Sequence, residues 1–124
     1  MCKINMNEIN KGLNFPYDIE NKEDNLTYLP GFCDVHVHFR EPGFSYKETI
    51  KSGSLSAIHG GYTTVFTMPN LNPVPDSYEN LKIQLDVIKK DSEIEVIPYA
   101  SITKGQKGEE LSDFDKMNSF VKKK

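Results

Sequence analysis

From Phe32 to Phe39 the chain alternates in the manner of a strand, with Phe32 breaking strict parity. Val35, Val37 and Phe39 fall on one side, Asp34, His36 and His38 on the other. Pro42-Gly43 ends that segment, and the period then changes. Ser45 and Glu48 stand at capping-box spacing. Ile50, Leu55 and Ile58, with Ala57, supply the apolar stripe of a helix that Gly60-Gly61 stops. Tyr62 to Met68 is rich in β-branched and aromatic residues and predicts a second strand. Pro69, Pro73 and Pro75 hold the next loop open. Asp76, with Glu79 at capping spacing, opens a second helix whose stripe is Leu81, Leu85 and Ile88. Ile94 to Ile102 predicts a third strand with Pro98 as its weak point. Ser112 and Asp115 then open a short polar helix running into Lys122-Lys123-Lys124, lysines that suit a helix C-terminus.

The order β-α-β-α-β-α with short connections predicts an α/β fold, a parallel sheet with right-handed crossovers. The large apolar residues lie between positions 29 and 102, so the core is expected there. Residues 1–28 are rich in Asn, Lys and Glu and bury little by themselves, which divides the chain into a poorly ordered segment 1–28 and a folded part 29–124.

Composition narrows the function classes. The 124 residues carry 15 Lys and Arg against 18 Asp and Glu, a net charge of −3, with no electrostatic footprint for nucleic acid or an anionic membrane. At 37% hydrophobic residues there is material for one modest domain. Cys2 and Cys33 imply no disulfide framework, and Cys33 is expected to pack in the core. No apolar run reaches the roughly 18 residues of a spanning helix. The N-terminus also lacks a secretory h-region, so a soluble cytoplasmic protein is expected.

The chemistry gathers on the first strand. Asp34, His36, His38 and Arg40 share a parity, about 6.5–7 Å between successive members. Such a set on a buried face is costly unless it binds something. Imidazoles at i and i+2 can direct nitrogens at one metal ion, with zinc the usual choice in a hydrolase. From the bare His-x-His spacing alone, a wet edge strand with merely exposed histidines is the better reading. Arg40-Glu41-Pro42-Gly43 adds a fixed cation and a tight turn at the C-terminal end of the strand, where sites form in parallel α/β folds. The second strand ends in Met68-Pro69-Asn70, which brings an amide to the same end of the sheet. Asn70 can hydrogen-bond a carboxylate or ureido oxygen, or serve as an ordinary turn residue.

The run Pro30-Gly31-Phe32-Cys33-Asp34-Val35-His36-Val37-His38-Phe39-Arg40-Glu41-Pro42-Gly43 closely resembles the opening signature of dihydroorotases. Lys47-Glu48, Gly60 to Val65, Met68-Pro69-Asn70, Ile102 to Gly105 and Gly108 to Leu111 follow in the order of the bacterial class I form. The resemblance spans about Leu29 to Leu111. It implies the first three βα units of an amidohydrolase (β/α)₈ barrel, here incomplete. It also implies zinc-dependent, reversible cyclisation of N-carbamoyl-L-aspartate to dihydroorotate in pyrimidine synthesis. By motif, His36 and His38 become zinc ligands, and His38, Arg40 and Asn70 contact the substrate, with Arg40 and Asn70 on its carboxylate. Asp34 either orients a ligand histidine or caps local backbone groups. His59 is expected to be a plain surface or helix-end residue.

A barrel of this type needs about 250 residues. The bridging metal ligand, two further histidines and the catalytic Asp of such enzymes come from later strands, so no catalytic residue is expected within the chain. Segment 1–28 would then be a remnant of a small β domain. The resemblance therefore implies an N-terminal fragment, inactive alone, of an enzyme binding one or two zinc ions. At full length, homo-oligomers or association with aspartate transcarbamoylase are the partners implied. Two other expectations compete with it. A hydantoinase- or allantoinase-like amidohydrolase is disfavoured by Arg40, and a non-catalytic dihydroorotase-like subunit by the joint presence of His36, His38, Arg40 and Asn70.

Overall fold

Three short runs of β-branched and aromatic residues do pair side by side. The computed structural model describes residues 30–121, with side chains to 118. In it β1 (Phe32–Val37), β2 (Tyr62–Thr67) and β3 (Glu95–Pro98) form a parallel sheet in the order β1-β2-β3. Helices α1 (Ile50–His59) and α2 (Tyr78–Asp91) make the two crossovers. A 3₁₀ turn (Lys104–Gln106) and α3 (Phe114–Val121) follow β3. The α/β class, the parallel sheet and the order of the elements along the chain are as expected from sequence. The readings of residues 1–28, including Cys2, and of Lys122 to Lys124 lie outside the described residues. Among the described residues no helix is long and apolar enough to cross a membrane.

β1 ends at Val37 rather than Phe39. Met68 donates its N–H to the Val37 carbonyl at 2.9 Å. Asn70, the next residue whose N–H would face β1, makes no backbone bond to it among the described residues and meets His38 through its side chain instead. β3 stops at Pro98 rather than Ile102. Tyr99 still bonds the Thr67 carbonyl, but Ser101 turns its N–H to the carbonyl of Pro75.

The first helix starts later than the Ser45–Glu48 spacing predicts. Thr49 is its N-cap, accepting the Ser52 N–H at 3.0 Å, while Ser52 Oγ accepts the Thr49 N–H at 3.1 Å. Residues 40–47 are used in turns instead, with Phe44 N–H on the Arg40 carbonyl and Lys47 N–H on that of Phe44. The second helix is capped by Ser77, one residue after Asp76. Asp76 instead accepts from the Asn80 side chain at 3.0 Å and from the Gly105 N–H at 2.7 Å, tying the loop after β2 to the loop after β3. At α3, Asp113 rather than Ser112 accepts the first-turn N–H, that of Lys116.

The core is Phe39, Ile50, Val65 and Val96, flanked by Val37, Ala57, Tyr62, Val87, Ile88 and Ile94. Each fully buried aliphatic or aromatic side chain here contributes about 1.5–3 kcal/mol. The buried face of α1 is Ile50, Gly53, Ser54 and Ala57, whereas Leu55 and Ile58 remain 39% and 42% exposed. The apolar stripe was thus misplaced, since two of the inward positions are small rather than hydrophobic. Gly53 makes room for the Phe39 ring, and a Cβ there would lie 2.3 Å from Phe39 Cε1. Ser54 donates to the Lys51 carbonyl and accepts the Glu93 N–H, so its burial leaves no group unpaired. On α2 the inward set is Leu81, Gln84, Leu85 and Ile88, close to expectation. The surprise is Gln84, which donates to Thr67 Oγ1 at 3.1 Å beneath the sheet.

The Gly53–Phe39 contact is directly testable. Gly53→Ala gains up to about 1 kcal/mol of helix propensity but overpacks the Phe39 ring at about 1–3 kcal/mol. The expected net result is a lower denaturation midpoint, partly restored by adding Phe39→Leu. An unchanged or raised midpoint in Gly53→Ala alone would show that the contact is slack.

Candidate active site

The register between β1 and β2 decides which side chains reach the open face of the sheet. Asp34 pairs with Val65 and Val37 with Thr67, so three steps on β1 match two on β2. An extra residue of this kind is a β-bulge. Val65 and Thr67 are buried beneath the helices, and residues in register share a face. Asp34 and Val37 therefore both lie on the helix side. Asp34 indeed borders a groove with Gly53, Ala57 and Tyr62. The bulge at Val35-His36 turns both of those residues to the open side, where Val35 is 61% exposed.

This corrects the strict alternation read from the sequence, in which Asp34 shared a face with the histidines and Val35 opposed them. Asp34 has a different task. Its Oδ1 accepts the backbone N–H of His36 at 3.0 Å, stitching the bulge closed. Of the two roles expected for Asp34, capping backbone is the one formed. Cys33 is also corrected: it pairs with Thr64 and is exposed, not packed in the core. His59 is the exposed last residue of α1, as expected.

Alternating with the core-side Val37 and Phe39, His36 and His38 lie together on the open face. Their ring centroids are 5.2 Å apart and the planes meet at 66°. Nδ1–H of His38 donates to Oδ1 of Asn70 at 3.0 Å. A hydrogen on Nδ1 leaves the Nε2 lone pair free for a metal, the arrangement by which an outer hydrogen bond fixes the tautomer of a ligating imidazole. Asn70 spends its carbonyl oxygen on His38 and retains both N–H groups of its amide. Arg40 is half-buried at the start of the following turn, and no ion pair or hydrogen bond engages its guanidinium among the described residues.

Two contacts hold the loop that carries Arg40. Glu41 Oε2 accepts the N–H of Ile50 at 3.0 Å, so a carboxylate beside the signature arginine anchors the first turn of α1. Gly43, at φ +95°, approaches the loop after β2 so closely that a Cβ would lie 2.2 Å from the Asn72 carbonyl oxygen. Asn72 returns an N–H to the Pro42 carbonyl at 3.3 Å. The loops that follow β1 and β2, carrying Arg40 and Asn70, are thereby locked to each other. Neither role was read from the sequence, although Glu41 nine residues before the helix start and Gly after Pro were both visible signals.

The donor chemistry suits zinc, but only as half of a site. Two neutral imidazoles supply two of the four ligands of a tetrahedral centre. No group of three or more His, Cys, Asp or Glu able to hold a metal occurs among the described residues.

Paired imidazoles, an amide and an arginine thus gather at the C-terminal ends of parallel strands in an α/β protein, the end of the sheet where ligand sites form in such folds. The dihydro-orotase-like family model matches residues 26–121, and the chain belongs to that family. Dihydroorotase from Fusobacterium nucleatum subsp. nucleatum is 63% identical over 91 residues, covering 73% of this chain and 21% of that protein. Dihydroorotase from Enterococcus faecalis is 58% identical over 84 residues, 68% of this chain and 20% of that protein. That from Ligilactobacillus salivarius is 53% identical over 96 residues, 77% and 22% respectively. The chain thus spans about a fifth of the length of these curated relatives.

The His38–Asn70 bond predicts a spectroscopic result. Long-range ¹H–¹⁵N correlation at neutral pH is expected to show His38 as the Nδ1–H tautomer, with Asn70→Ala shifting it towards Nε2–H. An Nε2–H tautomer in the unsubstituted chain would contradict the bond.

Proposed function

We propose that this chain supplies one wall of a dihydroorotase active site within a (β/α)₈ barrel, acting on N-carbamoyl-L-aspartate and dihydroorotate. The observation that carries the proposal is the His38–Asn70 hydrogen bond, which joins the imidazole pair to a group able to hold substrate. In this assignment His36 and His38 are zinc ligands, and the remaining ligands lie outside the described residues. A metal held there would supply Lewis-acid chemistry for the ring amide and for activating water. The chain's own residues hold and orient the substrate. The Asn70 amide donates its N–H groups, and Arg40 adds a fixed charge with a fork suited to a carboxylate. Locking the loops of Arg40 and Asn70 together through Gly43 keeps those two groups at constant separation, which favours one substrate pose.

A cyclic amidohydrolase acting on hydantoin or allantoin is the second reading. Arg40 discriminates, because hydantoin carries no carboxylate for it to hold.

The test replaces the matching 91-residue span of the Fusobacterium nucleatum dihydroorotase with this sequence. The chimera is expected to interconvert carbamoyl aspartate and dihydroorotate. Arg40→Ala should lower kcat/KM by about a hundredfold, as expected for removal of a charge-paired hydrogen bond. His36→Ala should remove zinc and activity together. Hydantoin turnover that is indifferent to Arg40 would favour the second reading. The 124-residue chain alone, with added zinc, is expected to show no turnover, because two imidazoles hold zinc weakly.

A further inference from the structure

Beside Asn70, at the C-terminal ends of β2 and β3, lies a cavity of about 460 Å³ bordered by Met68, Pro69, Tyr99, Ile102 and Gln106. Met68 is bonded through its N–H to Val37, the residue before His38, and is separated from Asn70 only by Pro69. The cavity's lining thus includes the two residues that lead into Asn70, the partner of His38. Its floor is aromatic: the Tyr99 ring packs on Phe66 with centroids 5.4 Å apart and planes at 33°.

Most polar groups on this wall are already used. Ser101 Oγ donates to the Thr103 carbonyl at 2.7 Å, and Thr103 Oγ1 accepts the Gly108 N–H at 3.0 Å. The backbone N–H of Gln106 goes to the Thr103 carbonyl. The Gln106 carboxamide and the Tyr99 hydroxyl make no hydrogen bond among the described residues. Gln106 has a second peculiarity. At φ +60° it is the one non-glycine left-handed residue in the described chain, following Gly105 at the same φ. Glycine would adopt that conformation without strain, so a side chain there is retained against the local backbone preference.

We propose that Gln106 is a specificity-determining residue of the dihydroorotase site, its carboxamide pairing with an N–H and C=O edge of the substrate's ureido group. One acceptor and two donors on a planar amide match such an edge with two parallel hydrogen bonds. Tyr99, Met68 and Ile102 supply the apolar walls that a flat cyclic ureide requires. This rests on the dihydroorotase assignment above and extends it to the group that would read the ureido edge of the substrate.

The experiment uses the chimera described above, with Gln106→Gly, Gln106→Ala and Gln106→Glu. Gln106→Gly relieves the backbone and is expected to raise Tm. All three variants should raise KM for dihydroorotate about tenfold, the size expected for loss of a neutral hydrogen-bonded contact, with kcat changed less. Zinc content should stay at the unsubstituted level. A rise in Tm for Gln106→Gly with KM unchanged in all three variants would assign Gln106 to the turn alone and overturn the proposal. A folded chimera without dihydroorotase turnover would sink the enzyme assignment and this inference with it. An active chimera indifferent to Gln106 would sink only the inference.

Discussion

The parallel pairing of β1 with β2, three residues against two, is the constraint on which the rest of the site depends. Hydrophobic burial fixes it from one side: Val65 and Thr67 are covered by helices, and their partners Asp34 and Val37 must follow them. A strand of perfect alternation cannot satisfy both partners across an odd interval. The extra residue is taken up between them, and Asp34 uses its own carboxylate to satisfy the N–H of His36. The same accommodation takes Asp34 off the face that His36 and His38 share. The position of two candidate metal ligands is thus a consequence of how an aliphatic core is filled on the opposite side of the sheet.

From that pairing the site extends outward through short links. Met68 closes the ladder on Val37, and two residues on Asn70 leaves it and meets His38 through its side-chain carbonyl. Each link is a single hydrogen bond of modest net worth, about 0.5–1.5 kcal/mol. Their effect comes from being consecutive along rigid backbone. The charged residues of the signature divide similarly between tasks. Glu41 secures a helix terminus, and Arg40 keeps its guanidinium without a partner among the described residues.

Much of this was legible in the sequence. The order of elements followed from period changes and from Gly and Pro punctuation, and the gathering of His36, His38 and Asn70 followed from where strands end. Other features were hidden for physical reasons. The bulge leaves no mark in a run such as Asp34-Val35-His36-Val37-His38, whose alternation looks perfect, because it is imposed by the partner strand. The first helix offered two capping patterns, Ser45–Glu48 and Thr49–Ser52, and the turn at Pro42-Gly43 used up the earlier one. Its buried stripe was obscured because the neighbour is the bulky Phe39, which selects a glycine on the helix rather than another apolar side chain. Cys33 was assigned to the core by residue type, although register places it opposite Thr64 on the open face.

The near-collision of Gly43 with the Asn72 carbonyl has a consequence for how such a protein can diversify. Two loops that touch backbone to backbone have no room for inserted residues at the point of contact, so neither can grow without releasing the other. The segment after β3 has more room: Gly105 and Gly108 adopt left-handed turns, and a Cβ at Gly108 would meet nothing within 4 Å. Added length there would leave the contact between the first two loops undisturbed.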